Sequence, residues 1–150
     1  MKTLKLDNSK IQCIGLSYLW LAFSDQDDSL ELDCLSVKGN AINDQWAKRL
    51  NYKLSQPIKV RKLDLSENLL GDVAAKEIQI YFMDNYSIES LNLGNNLITR
   101  EGLRKLKEIV KLNSHIQELI VKGNRDIDES IEMCERRMRA KETFQRIVYY

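Results

Sequence analysis

The stretch Leu93-Gly94-Asn95-Asn96-Leu97-Ile98-Thr99-Arg100-Glu101-Gly102-Leu103-Arg104-Lys105-Leu106-Lys107-Glu108-Ile109-Val110 changes hydrophobic period half way along. It opens on a short strand-like pattern, turns at an asparagine pair and continues with apolar residues at helical spacing. The same phrase recurs elsewhere in the chain. The pattern L-x-x-L-x-L-x-x-N-x-L fits Leu32, Leu35, Val37, Asn40 and Ile42, then Val60, Leu63, Leu65, Asn68 and Leu70. A third copy is Ile88, Leu91, Leu93, Asn96 and Ile98. A fourth is Ile116, Leu119, Val121 and Asn124, with Asp126 in the last apolar place. Each copy starts 28 residues after the one before. A constant offset over four copies marks a repeat architecture.

The second half of each unit keeps the same register. Trp46, Ala74, Gly102 and Ser130 correspond, as do Ala47, Ala75, Leu103 and Ile131. So do Leu50, Ile78, Leu106 and Cys134, then Leu54, Phe82, Val110 and Met138. Within a unit these positions form the inner stripe of a helix. Asp44, Asp72 and Thr99 stand where they would cap the helix starts. A weaker unit leads the array: Met1, Leu4, Leu6, Ser9 and Ile11 match at an offset of 31, and serine replaces asparagine. Its three extra residues fall in the acidic turn Asp25-Gln26-Asp27-Asp28. A partial unit closes the array with Phe144, Ile147 and Tyr149.

The periodicity predicts strands near residues 3–6, 34–37, 62–65, 90–93 and 118–121, and helices near 12–23, 44–54, 72–83, 100–111 and 129–141. Thr143 to Tyr150, rich in strand formers, is expected as a sixth strand. An apolar continuation of the last helix is the alternative. The expected fold is a single α/β domain over residues 1–150, with units starting near 1, 32, 60, 88 and 116 and a partial one at 144.

These residues resemble leucine-rich repeats of the ribonuclease-inhibitor type. The resemblance implies a right-handed solenoid with a parallel sheet on the concave side and helices on the convex side. It implies that Asn40, Asn68, Asn96 and Asn124 form a ladder bonded to the backbone of the turns. Ser9 is too short for the full task, so the first coil is expected to be looser. Stacking makes the core, because no unit can bury its apolar face alone.

Composition narrows function mostly by exclusion. At 150 residues, 43% apolar and 30% charged, the chain can bury a core and remain soluble. A net charge of +1 provides no global field for nucleic acid or an anionic membrane. Lys2, Lys5 and Lys10 before the apolar run from Ile11 to Phe23 resemble a signal peptide. That run fits the repeat register, which argues against one, and it is too short to span a bilayer. Cys13, Cys34 and Cys134 are odd in number and far apart, which suggests a reducing, cytoplasmic setting. No catalytic, cofactor or metal site is expected. His115 reads as a locally bonded turn residue, and the cysteines have no metal spacing. Arg136, Arg137, Arg139 and Lys141 are interleaved with Glu132, Glu135 and Glu142, a mixed surface.

A protein partner is the remaining expectation. The middle outward row of the sheet reads Lys5, Ser36, Asp64, Asn92, Ile120 and Val148, and the next reads Asp7, Lys38, Ser66, Gly94, Lys122 and Tyr150. The face turns apolar only in its last strands. Ile120, Lys122, Arg146, Val148 and Tyr150 are therefore expected to bind protein there, or to pair the last strand with a second copy. The sheet face covers roughly 400 Å², against about 800 Å² per partner in a standard interface, so an end must contribute. Ile14, Trp20 and Leu21 of the first helix are expected to supply that contact, because their counterparts one unit later, Gln45, Asn51 and Tyr52, are mostly polar. A self-capping role is the alternative. The expected function is a non-enzymatic interaction module, a small subunit or adaptor of an assembly. A GTPase- or nuclease-regulating repeat protein, a cytoskeletal capping module and a host-directed bacterial effector are the alternatives.

Overall fold

A computed structural model describes residues 2–24, 31–52, 57–125 and 146–148. Among the described residues there are six strands, the first five of them separated by helices: β1 (Thr3–Lys5), α1 (Gln12–Ser24), β2 (Leu32–Ser36), α2 (Asp44–Leu50), β3 (Val60–Asp64), α3 (Asp72–Met83), β4 (Ser90–Asn92), α4 (Arg100–Leu112), β5 (Glu118–Ile120) and β6 (Arg146–Val148). The strands form one sheet in chain order, each parallel to the next. Parallel neighbours require a crossover, and α1 to α4 supply it, packing side by side in sequence order.

The register of the sheet is the register of the repeat. Lys5 pairs with Ser36, Ser36 with Asp64, Asp64 with Asn92, Asn92 with Ile120 and Ile120 with Val148. Strands end slightly earlier than the pattern predicts. The ladder nevertheless continues through single bonds from Leu6, Val37, Leu65 and Leu93 N–H to the Ser36, Asp64, Asn92 and Ile120 carbonyls. Helix α2 is shorter than expected: it stops at Leu50, and the Asn51 N–H caps it through the Arg49 carbonyl. The expected helix over 129–141 lies outside the described residues, as do Cys134 and most of 143–150.

The core lies between sheet and helices. Leu35, Leu63, Leu91 and Leu119 come from the strands, and Trp46, Ala75, Ile78, Leu103 and Leu106 from the helices, all at most 1% exposed. Asn40, Asn68 and Asn96 are buried among them. Asn68 shows how the ladder works. Its Oδ1 accepts from Asn40 N–H (2.9 Å) and Ile42 N–H (3.0 Å) of the preceding coil. Its Nδ2 donates to the Val37, Leu65 and Ser66 carbonyls. Asn40, Asn96 and Asn124 also bridge their own turn to the coil before. Ser9 is exposed, and its side chain stays within its own turn, its Oγ donating to the Asp7 carbonyl, while its backbone N–H donates to Asn40 Oδ1 of the next coil (3.0 Å). Three residues of that coil, Asn8, Lys10 and Gln12, have positive φ, a conformation that is costly for side-chain-bearing residues.

Two features differ from the sequence reading. Asp44 and Asp72 do not cap their own helices. Asn43 and Thr99 accept from the N–H two residues on in α2 and α4, and Gly71 precedes α3 without a side-chain cap. Asp44 instead crosses to the next coil, accepting from Gly71 N–H (2.7 Å) and Ala74 N–H (3.2 Å). Asp72 does the same for Thr99 N–H (2.8 Å) and Gly102 N–H (3.1 Å). The reason is position: both aspartates are already the first helical residue, so their own helix turns away while the next helix presents unpaired N–H groups. Each carboxylate therefore stitches one helix start to the next and sits at the positive end of its dipole. The second feature is a further pair of asparagines at the helix exits. Asn113 Nδ2 donates to the Phe82 and Asn85 carbonyls (2.8 and 2.7 Å), and Asn85 Nδ2 to the Ile58 carbonyl. Asn85 and Asn113 stand 28 apart, a signal present in the sequence and overlooked beside the main ladder.

Candidate interaction surface

The sheet's outward face carries small and charged side chains that mostly satisfy one another. Ser36 Oγ bonds Asp7, and Ser66 N–H and Oγ donate to Asp64 Oδ1 (2.9 and 2.6 Å). Asn92 Oδ1 accepts from Gly94 N–H, and Ser90 Oγ donates to Glu118. Arg61 pairs with Asp33 and Lys38 with Glu67 (3.0 Å). The Glu67 hydrogen bond and charge push the Lys38 ammonium above its ordinary range. These exposed pairs stabilise little; they leave the early face polar and self-paired.

The last two strands break that pattern. Ile120 stands half-buried in the row where Ser36, Asp64 and Asn92 stand earlier, and Val148 is its neighbour across the ladder. Lys122 is exposed beside it. Glu118 and Arg146 pair in register one row away. Strand pairing thus sets Arg146 and Val148 level with Glu118 and Ile120 at one edge of the sheet, with Lys122 two residues beyond Ile120. Tyr150 lies outside the described residues.

The first helix forms the opposite end, and here one expectation needs correction. Ile14 is 60% exposed and Leu21 38%, with Tyr18 between them at 70%. Trp20 does not join them: it is fully buried. Its ring meets Trp46 edge-on at 5.1 Å and lies 5.7 and 6.4 Å from Tyr81 and Phe82. Its Nε1–H donates to Tyr81 Oη (3.0 Å). The register explains this. Trp20 shares its position with Asn51 and Gln79, and those side chains cross to the following helix, at Glu77 and Glu108. Trp20 is therefore on the flank facing α2, and comparison with its polar counterparts mistook that flank for the outside. Burial also pushes the Tyr81 phenol up to about 12.

Little in the described residues suggests chemistry. No group of three His, Cys, Asp or Glu there is placed to hold a metal. Cys13 is half-buried against Asn43, whose N–H it accepts (3.3 Å), and Cys34 is half-buried on the sheet face. His115 is exposed at the turn, its N–H bonded to Asn113 Oδ1 and its ring 5.2 Å from Tyr86. No described helix is long and apolar enough to cross a membrane.

Comparison with known proteins agrees with this architecture. Residues 84–107, which span β4 and much of α4, match the family model described as Leucine Rich repeat. Among curated proteins no sequence match is found. Among solved structures, the actin-binding site 2 (ABS2) of leiomodin-1 is similar, with a TM-score of 0.60 and 20% identity, over 100% of this chain and 70% of that one. By its repeat, its sheet register and its asparagine ladder, the chain has the fold of a leucine-rich-repeat solenoid.

Proposed function

We propose that this chain is a protein-interaction module of the ribonuclease-inhibitor type, acting as a small subunit or adaptor rather than as an enzyme. The observation that carries the reading is the change along one sheet row. Lys5, Ser36, Asp64 and Asn92 give way to Ile120 and Val148, with Lys122 and Arg146 at the rim. A polar face that becomes apolar at one end is the arrangement of an interface core with a charged border. Strand β6 adds to this, since among the described residues it lies at the edge of the sheet, and an edge strand offers backbone groups to a partner. Residues 1–150 acting as one domain is part of the same proposal.

The test is affinity capture with mass spectrometry, comparing wild type with Ile120→Lys/Val148→Lys. A stoichiometric partner lost in the double variant, with the melting curve retained, is expected. A partner held equally by both would move the site elsewhere. Likeness to an actin-binding site in leiomodin-1 favours a second reading, a cytoskeletal module. Co-sedimentation with filamentous actin and binding to monomeric actin distinguish it.

A further inference from the structure

The repeat register sorts the outward positions of the helices into three rows, and α4 fills them as a solvated face does. It carries Glu101, Arg104 and Glu108 there. Arg104 pairs with Glu101, and Glu108 accepts from Gln79. The same positions hold Val73, Lys76 and Ile80 on α3, and Gln45, Lys48 and Tyr52 in the unit of α2. Tyr52 is 82% exposed, Ile80 48% and Val73 42%, and both lysines are exposed. Helices α2 and α3 pack side by side, so these apolar side chains share one face instead of being scattered singly.

The charge of this face is not balanced within it. Asp44 and Asp72 are taken up by the helix starts of the next coil. Glu77 is half-buried in the gap between α2 and α3 and accepts from Asn51 Nδ2 (2.8 Å), and Arg49 reaches back to Ser17. Among the described residues, Lys48 and Lys76 make no ion pair. They stand side by side in the middle row, between Val73 on one side and Tyr52 and Ile80 on the other.

We propose that this face binds an acidic amphipathic helix of another protein, laid along the groove between α2 and α3. Charge complementarity selects the acid, since two neighbouring lysines without a carboxylate favour an anionic occupant. Spacing selects the helix. The rows are three and four residues apart, about 5–6 Å per step, and the ridges of an α-helix repeat at the same interval. Such a helix presents apolar side chains to Val73 and to the Tyr52–Ile80 pair, with carboxylates between them at Lys48 and Lys76. An anionic membrane fits less well, because two lysines contribute only about 1 kcal/mol each near its surface. One docked helix covers less than a standard interface, so a dissociation constant on the order of tens of micromolar is expected.

This inference does not rest on the partner at the sheet edge. The test is selection from a display library of helical peptides of about 14 residues against the full chain. Enriched sequences are expected to carry Asp or Glu between apolar residues. In fluorescence anisotropy, Lys48→Glu with Lys76→Glu should weaken their binding at least about tenfold, whereas Ile120→Lys with Val148→Lys should leave it unchanged. Peptides with those acids replaced by lysine should bind the Lys48→Glu/Lys76→Glu chain again. Tyr52→Ser with Ile80→Ser, which adds no charge, is the second probe and should weaken binding several-fold. No enrichment, enrichment of peptides without acids, or undiminished binding by both the lysine and the apolar variants overturns the proposal. Binding to phosphatidylserine vesicles that the lysine variant loses, with no peptide enriched, assigns the face to a membrane and overturns it as well.

Discussion

The first and third coils share one register and have opposite surroundings. In the third, Asn68 is buried and bonds two coils, Asp72 stitches α3 to α4, and Glu77 meets Asn51 of the helix before. In the first, Ser9 is exposed, Cys13 stands in the aspartate position, and Tyr18 faces no described helix. The difference teaches that a repeat position has no fixed energetic value. Its contribution depends on the neighbour it can reach, and the first coil has a described neighbour on one side only.

Breaking the ladder in the two coils should give the largest contrast. Asn68→Ala leaves the Asn40 and Ile42 N–H groups unpaired in the core, at about 1–3 kcal/mol each. A loss of about 3–4 kcal/mol is expected in denaturant unfolding, whereas Ser9→Ala should change stability by less than about 0.5 kcal/mol. Equal losses would mean that the ladder is not what separates the coils.

The aromatic contact that joins α1 to α3 has a pH signature. The folded phenol of Tyr81 titrates at about 12 because of burial, and the unfolded one near 10.0. Between these values the folded state holds a proton that the unfolded state has released. Stability should therefore fall as pH rises through this window, by about 2–3 kcal/mol in all. Tyr81→Phe should remove that slope, leaving whatever the lysines contribute; a slope unchanged in the variant would show that Tyr81 is not its source.

The helix stitch should be worth less. Asp72→Ala removes the acceptor for Thr99 and Gly102 N–H, with an expected loss of about 1–2 kcal/mol. The smallest effect is a gain. Cys13→Asp puts a carboxylate where Asp44 and Asp72 stand in later coils, able to accept from the Asn43 and Trp46 N–H groups. A stabilisation of about 0.5–1 kcal/mol is expected by thermal melting. A loss instead would show that the thiol, not a missing carboxylate, suits the first coil.

Much of this was legible because the repeat carries its own alignment. The constant offset placed Leu63, Leu91 and Leu119 side by side, set every strand in register and located Asn40, Asn68, Asn96 and Asn124, since each unit must present the same apolar face to stack. It could not show where Asp44 and Asp72 point, because capping across coils depends on the rise from one helix start to the next. Nor could it show that Trp20 is buried. Its polar counterpart at 51 looked like a solvent position, yet Asn51 and Gln79 both line the gap between helices.

The interaction surfaces divide the same way. The row ending in Ile120 and Val148 follows from alternation along strands and a constant offset, both local properties of the chain. Sequence alone therefore determined the repeat, the sheet order and the polarity of each row. Which helix flank is left without a neighbour was decided only by the tertiary structure, because burial at Tyr18 and Trp20 depends on the helix beside them, and position within the unit does not specify that helix.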